Sequence, residues 1–141
     1  MLIDFEVSGV PQPQGSTRAF VTKAGKAVTT SANKALKPWR QDLAMMARVA
    51  MNEDYGSGIH DRPASIGAIS VKCLFYFQKP KSTKRSVTQK VTKPDLDKLI
   101  RAVLDGMTGI CYRDDSQVVS VEAYKRFGER AYTRVVVEEA K

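Results

Sequence analysis

Histidine and cysteine are scarce in this 141-residue chain: one histidine, His60, and two cysteines, Cys73 and Cys111. The cysteines lie far apart and belong to no CxxC or Cys/His pattern, so the chain cannot supply the soft and imidazole ligands of a zinc site. The same scarcity argues against a Ser-His or Cys-His catalytic pair. Both cysteines read as small buried apolar residues, and His60, in Tyr55-Gly56-Ser57-Gly58-Ile59-His60-Asp61, as a surface loop residue. No run approaches the roughly 20 apolar residues that cross a bilayer. No glycine-rich phosphate cradle or P-loop is present, which ranks a hydrolase of small phosphate compounds last among the functional readings. The opening Met1-Leu2-Ile3-Asp4-Phe5-Glu6-Val7 alternates and carries acids, unlike a signal or transit peptide, so a cytoplasmic location without membrane partners is expected.

Acid is also in short supply. Lys and Arg number 23 against 15 for Asp and Glu, a net charge of +8, which points to an acidic partner and to nucleic acid before a membrane surface. The positive charge is concentrated. Residues 79–93 read KPKSTKRSVTQKVTK, with six basic residues and no acid, and are expected to be a flexible basic linker inside a single domain spanning 1–141. Were all six charges to engage duplex phosphates, log K against log salt would fall with a slope of about −5.

Period-two alternation marks a half-buried strand at residues 2–8, and Gly9-Val10-Pro11-Gln12-Pro13-Gln14-Gly15-Ser16 breaks it. Residues 18–22 and 26–30 are strand-like and joined through Ala24-Gly25, which predicts a hairpin. A helix capped by Ser31 or Asn33 runs to about Glu53 on Leu36, Trp39, Leu43, Met46, Ala47 and Ala50, provided that Pro38 falls in its first turn. Trp39, Met45, Met46 and Met51 are read as helix core or interface rather than base-stacking groups. Residues 54–67 read as a loop. The strongest strand is 69–77, with Ile69, Val71, Cys73, Phe75 and Phe77 on one face. A second helix over 95–107 carries Leu96, Leu99, Ile100, Val103, Leu104 and Met107 at helical spacing and stops at Thr108-Gly109. Residues 118–125 and 131–138 read as a closing hairpin that turns at Gly128-Glu129. The fold class is α+β: a single domain with one mixed β-sheet and two main helices packed against it.

Against this basic background stand two acidic clusters, Asp95 with Asp97, and Asp114 with Asp115. Acids at the start of a helix have an ordinary use, as caps for orphan N–H groups and complements to the dipole. Yet Asp97, Arg101 and Asp105 share the face left over by the apolar stripe, and Asp114-Asp115 precedes a strand after a short connection. Carboxylates from a helix start and a strand start, converging at the edge of a phosphate-attracting surface, suit a hard cation such as Mg²⁺. Arg101 could either pair with Asp97 or Asp105 at i, i+4 or neutralise charge on a reacting phosphate.

The stretch KPDLDKLIRAVLDGMTGICYRDDSQVV, residues 93–119, resembles the signature region of the RusA-type Holliday-junction resolvases. There a PDLDN segment leads to a lysine and then DAL, followed by a DDSQV-like turn. A looser likeness takes in the N-terminal strand with Gly9, Pro11 and Arg18, and the terminal strands. The resemblance implies a small Mg²⁺-dependent endodeoxyribonuclease, common in prophages, that acts as a homodimer on four-way DNA junctions in recombination and repair, with Mn²⁺ as a substitute ion. By position Asp95, Asp97 and Asp115 match the family's metal-binding aspartates, and Asp114 a more variable acid. Arg101 stands where a catalytic lysine is usual, and Lys98 where asparagine is. Arg18, Lys79, Lys81, Lys84, Arg85, Lys90, Lys93 and Lys98 form the DNA-binding surface that follows. Arginine presents a planar fork where lysine presents a point charge, so the exchange at Arg101 is not neutral. The competing reading is a non-catalytic junction-binding protein that uses the same basic surface, with the acids serving only as caps.

Overall fold

The structure, a computed structural model, describes residues 1–15, 17–21, 23–31, 33–56 and 62–140, with the backbone alone described in 17–21 and 27–31. His60 and its neighbours, residues 57–61, lie outside the described residues. Six strands and two helices follow in the order β1 (Leu2–Ser8), β2 (Thr17–Val21), β3 (Ala27–Ser31), α1 (Leu36–Tyr55), β4 (Ile69–Gln78), α2 (Leu96–Met107), β5 (Val118–Gly128) and β6 (Tyr132–Glu139). A single 3₁₀ turn, Asp115–Gln117, precedes β5. The class is α+β, a four-stranded mixed sheet with both helices against it, as the alternating and helical periodicities predict.

Alternation in β1 buries Ile3, Phe5 and Val7, and in β4 it buries Ile69, Val71, Cys73, Phe75 and Phe77. These meet Val135 and Val137 of β6 on one face of the sheet, and Leu36, Trp39, Leu43, Ala47 and Met51 of α1 complete that core with Leu99, Val103 and Met107 of α2. Met45 and Met46, at 65% and 37% exposure, stay outside it. The helix α1 starts at Leu36 with Pro38 in its first turn, where the missing N–H has no carbonyl to serve. Asn33 does not cap it in the usual way. Its Oδ1 accepts from Ala35 N at 3.1 Å while its Nδ2 donates to Gln12 Oε1 and Pro13 O, both at 3.1 Å. The helix ends at Gly56, whose φ of +75° a side chain would strain.

Sheet order corrects one expectation. The strands run β1-β6-β4-β5, with β4 parallel to β5 and antiparallel to β6, so β5 and β6 are not a hairpin. The most apolar strand takes a central place because it needs partners on both edges, and residues 129–131 carry the chain across its end. Tyr76 and Tyr132 stack there with centroids 4.6 Å apart, and a Cβ on Gly128 would lie 3.3 Å from the Tyr76 ring. The hairpin expected near residues 18–30 is present as β2 paired to β3, apart from the main sheet.

The two helices touch where α2 lacks a side chain. A Cβ on Gly106 would lie 2.8 Å from Leu43 Cδ2, and Leu43 is fully buried. Leu43→Ala should cost about 3 kcal/mol, and Gly106→Ala about 1 kcal/mol after the gain in helix propensity is set against overpacking. The double variant should lose less than the sum, because the new methyl enters vacated space; denaturant unfolding of the four proteins measures this, and strict additivity would refute the contact. Burial also pushes the Cys73 and Cys111 thiols up to about 12. Neither should react with a thiol reagent at pH 8 in the folded protein, and both should react after unfolding.

Candidate functional site

Packing decides which side of α2 faces water. Leu99, Ala102, Val103 and Met107 are buried, which turns Asp97 and Arg101 outward, both exposed. Asp95 sits at the N-cap position with extended backbone, yet its carboxylate makes no cap hydrogen bond. The capping role that would account for an aspartate here is therefore not taken up. Among the described residues neither Asp97 nor Arg101 enters an ion pair, so the i, i+4 pairing open to Arg101 is not made. Asp105 is drawn elsewhere. It accepts from Gln14 Nε2, while Gln14 Oε1 accepts from Arg40 Nη1 at 2.7 Å and Gln14 N donates to Lys98 O at 3.0 Å. One glutamine thus fastens the 10–15 loop to α1 and along α2.

The second acidic cluster is built by its own turn. Gln117 Oε1 accepts from Arg113 N at 2.8 Å and Asp114 N at 2.9 Å, and its Nε2 donates to Ser65 O at 2.8 Å and Gly67 O at 2.9 Å. The Ser116 hydroxyl donates to the Asp114 carboxylate and holds it below the usual carboxylate range. Asp114 is thereby occupied within the turn, whereas Asp115 is exposed and has no such bond among the described residues. The Ser-Gln of the DDSQ segment is scaffolding, and its effect is to leave Asp115 available.

The two clusters are not gathered by a single chain. Tyr112, three residues before Asp115, donates its hydroxyl to Leu104 O at 2.6 Å, which sets the turn beside the C-terminal half of α2. Asp95 and Asp97 stand at the other end, Asp97 about 10 Å of helix from Leu104. Among the described residues no group of three or more His, Cys, Asp or Glu is close enough to hold one ion. The expected convergence of helix start and strand start is thus not made within one copy. Three of the donors fit a hard cation: Asp95, Asp97 and Asp115 are exposed carboxylates, without a cap bond or ion pair among the described residues.

The basic segment differs from the free linker expected. Phe127 N donates to Thr88 O at 2.8 Å, Gln89 bridges Arg126, and Lys90 N donates to Lys125 O at 3.4 Å, so residues 88–90 run along the edge of β5. Backbone groups on an open sheet edge need partners, and this segment supplies them. Lys125 donates to Thr92 O at 2.7 Å and Pro94 O at 2.8 Å, clamping the approach to α2, and the Lys93–Pro94 peptide there is cis. Lys90 lies 5.2 Å from the centroid of Phe77 and 5.7 Å from that of Phe127, and Lys79 donates to Arg85 O at 2.8 Å. Lys81, Lys84, Arg85 and Lys93 remain exposed, Lys98 is half-buried beside Asp95, and the side chain of Arg18 lies outside the described residues. Gln14 and Lys125 escaped the sequence reading. A lysine at an inward strand position between Ala123 and Phe127 is the signal that could have found the second; a loop glutamine carries none.

Replacing Lys81, Lys84, Arg85 and Lys93 by alanine together should flatten the log K against log salt slope for DNA by about 3.6 per chain. Lys90→Ala should change that slope by less than about 1 and lower stability by about 0.5–1 kcal/mol through the lost ring contacts. Equal slopes for wild type and the fourfold variant would exclude this segment from the DNA contact expected from the sequence.

Comparison with known proteins agrees with the signature residues. The uncharacterized protein YqaN of Bacillus subtilis (strain 168) is 30% identical over 149 aligned residues, covering 97% of this chain and 96% of that one. The family model described as endodeoxyribonuclease RusA matches residues 11–138, a span that holds both acidic clusters, Arg101 and the whole basic segment. The chain belongs to the RusA endodeoxyribonuclease family.

Proposed function

We propose that the protein is a Mg²⁺-dependent endonuclease, with Mn²⁺ able to substitute, that resolves four-way DNA junctions in recombination and repair as a homodimer. The observation that carries this is the state of Asp95 and Asp97. In a chain of this family they stand exposed at the border of a basic segment, and Asp95 is not spent as a cap. The same observation counts against the purely DNA-binding alternative, which needs the acids as caps.

Asp95 and Asp97 would hold the ion together with Asp115, and the second copy would supply Asp115, since one copy sets the two clusters toward opposite ends of α2. A homodimer with a twofold axis forms two such sites at once and matches a twofold junction. When bound, such an ion supplies an activated water and charge stabilisation at the leaving oxygen. The remaining work falls to the chain's own groups. Exposed lysines and Arg85 draw in the backbone phosphates, and the guanidinium of Arg101, unpaired with Asp97, donates to the phosphate under attack. Carboxylates alone would repel that phosphate, so a cation one helical turn from Asp97 offsets them.

Asp97→Asn should bind synthetic four-way junctions as tightly as wild type in the absence of divalent metal and cut them at least about 100-fold more slowly with Mg²⁺. Arg101→Ala should likewise lose about 100-fold in cutting, and Arg101→Lys should recover most of it. Cutting by Asp97→Asn at the wild-type rate, or a wild-type protein that cuts no junction with either ion, would defeat the reading.

A further inference from the structure

A cavity of about 470 Å³ opens beside Asp95, between the loop after β1 and the entry to α2. Its walls are apolar: Val10, Pro11 and Pro13 on the loop side, Phe77 at the end of β4, and Pro94 before the helix. Lys93 and Lys98 stand with Asp95 in its lining. The polar side chains on the loop side are already engaged. Gln12 Nε2 donates to Val10 O at 3.1 Å and Gln12 Oε1 accepts from Asn33 Nδ2 at 3.1 Å, while Asn33 also donates to Pro13 O. These bonds, with Gln14 anchored to Lys98 O and Asp105, hold the loop wall in place without any ligand.

A preformed apolar cavity with two lysines in its lining, next to a candidate metal-binding carboxylate, matches one part of a DNA strand. A nucleobase offers a flat apolar body of suitable size, and its own phosphate lies within reach of the lysines. Because the amides are engaged, the cavity offers a surface for the base's faces rather than a set of partners for its edge. We propose that this cavity receives an unstacked nucleobase of the strand adjoining the phosphate to be cut, so that the enzyme selects DNA in which stacking is interrupted. The proposal rests on the nuclease reading above and adds the chemical group that fills the space beside its site. Extrusion is least costly where a base is already unpaired or poorly stacked, as at a branch point.

The test uses the full chain and four-way junctions that carry 2-aminopurine at one nucleotide at a time around the branch point, first without divalent metal. Among the described residues the cavity lining contains no tryptophan or tyrosine to quench a bound fluorophore. One position per cut strand should brighten several-fold when wild type binds. Val10 is 54% exposed, so Val10→Phe can fill the cavity without disturbing the core. With that variant the same position should stay dark, and the junction should bind about tenfold more weakly. Wild type should show an equal loss on a junction made abasic at that nucleotide. Brightening that survives Val10→Phe, or brightening at no position, overturns the cavity's role. Parallel cutting assays with Mg²⁺ separate the two claims. A protein that cuts without brightening any base keeps the nuclease reading and loses the cavity, and one that brightens a base, silenced by Val10→Phe, without cutting does the reverse.

Discussion

The burial of α2 against the sheet and against α1 is the constraint on which the rest depends. Leu99, Val103 and Met107 have no exposure, and Gly106 lets Leu43 approach so closely that an added Cβ would force the Leu43 side chain to shift. That packing leaves the helix one rotational setting. Asp97 and Arg101 then face water, Asp105 faces the 10–15 loop, and the N-terminus emerges where the basic segment leaves the edge of β5. The chemistry of the site is a by-product of the hydrophobic fit: the acids are exposed because the apolar stripe has consumed the opposite face.

Electrostatics alone would argue against this arrangement, since carboxylates beside a basic surface proposed to hold phosphates would repel that ligand. Three features make it workable. Asp114 is absorbed by Ser116 in its own turn, so fewer free carboxylates face the strand. Lys90 and Lys79 are engaged by aromatic rings and a carbonyl, which concentrates the available positive charge in Lys81, Lys84, Arg85 and Lys93. Arg101 keeps its charge without an ion pair among the described residues. Each assignment follows from a particular contact, and together they sort charges that look equivalent in the sequence into structural and available ones.

Most of the fold was legible because its elements bury one face each, and both periods stand out: two in β1 and β4, three and four in α1 and α2. The order of strands was not. The pattern of 118–138 marks two strands with a turn between them, but nothing local says that β4 will slip between them; that depends on which strand needs two neighbours. The candidate site is marked in the sequence only by residue types, through the spacing of Asp95 and Asp97 and the DDSQ turn. Its geometry is not, because a short connection from α2 to Asp115 leaves open which end of the helix it returns to. The bond from Tyr112 to Leu104 O decides that, and a lone tyrosine in a sequence carries no such message. The basic segment misled for a related reason: a composition that cannot enter a core can still satisfy a sheet edge through its backbone.

On the proposed reading one copy does not complete the metal-binding set, and Asp95 and Asp97 of one chain work with Asp115 of another. Mixing two separately inactive proteins, Asp97→Asn and Asp115→Asn, and allowing subunits to exchange tests it directly. A shared site regains one intact set in each mixed dimer, so cutting of a four-way junction should return with Mg²⁺ to a substantial fraction of the wild-type rate. A mixture as inactive as its components, with exchange verified, would rule out a shared site and place the whole set within a single chain.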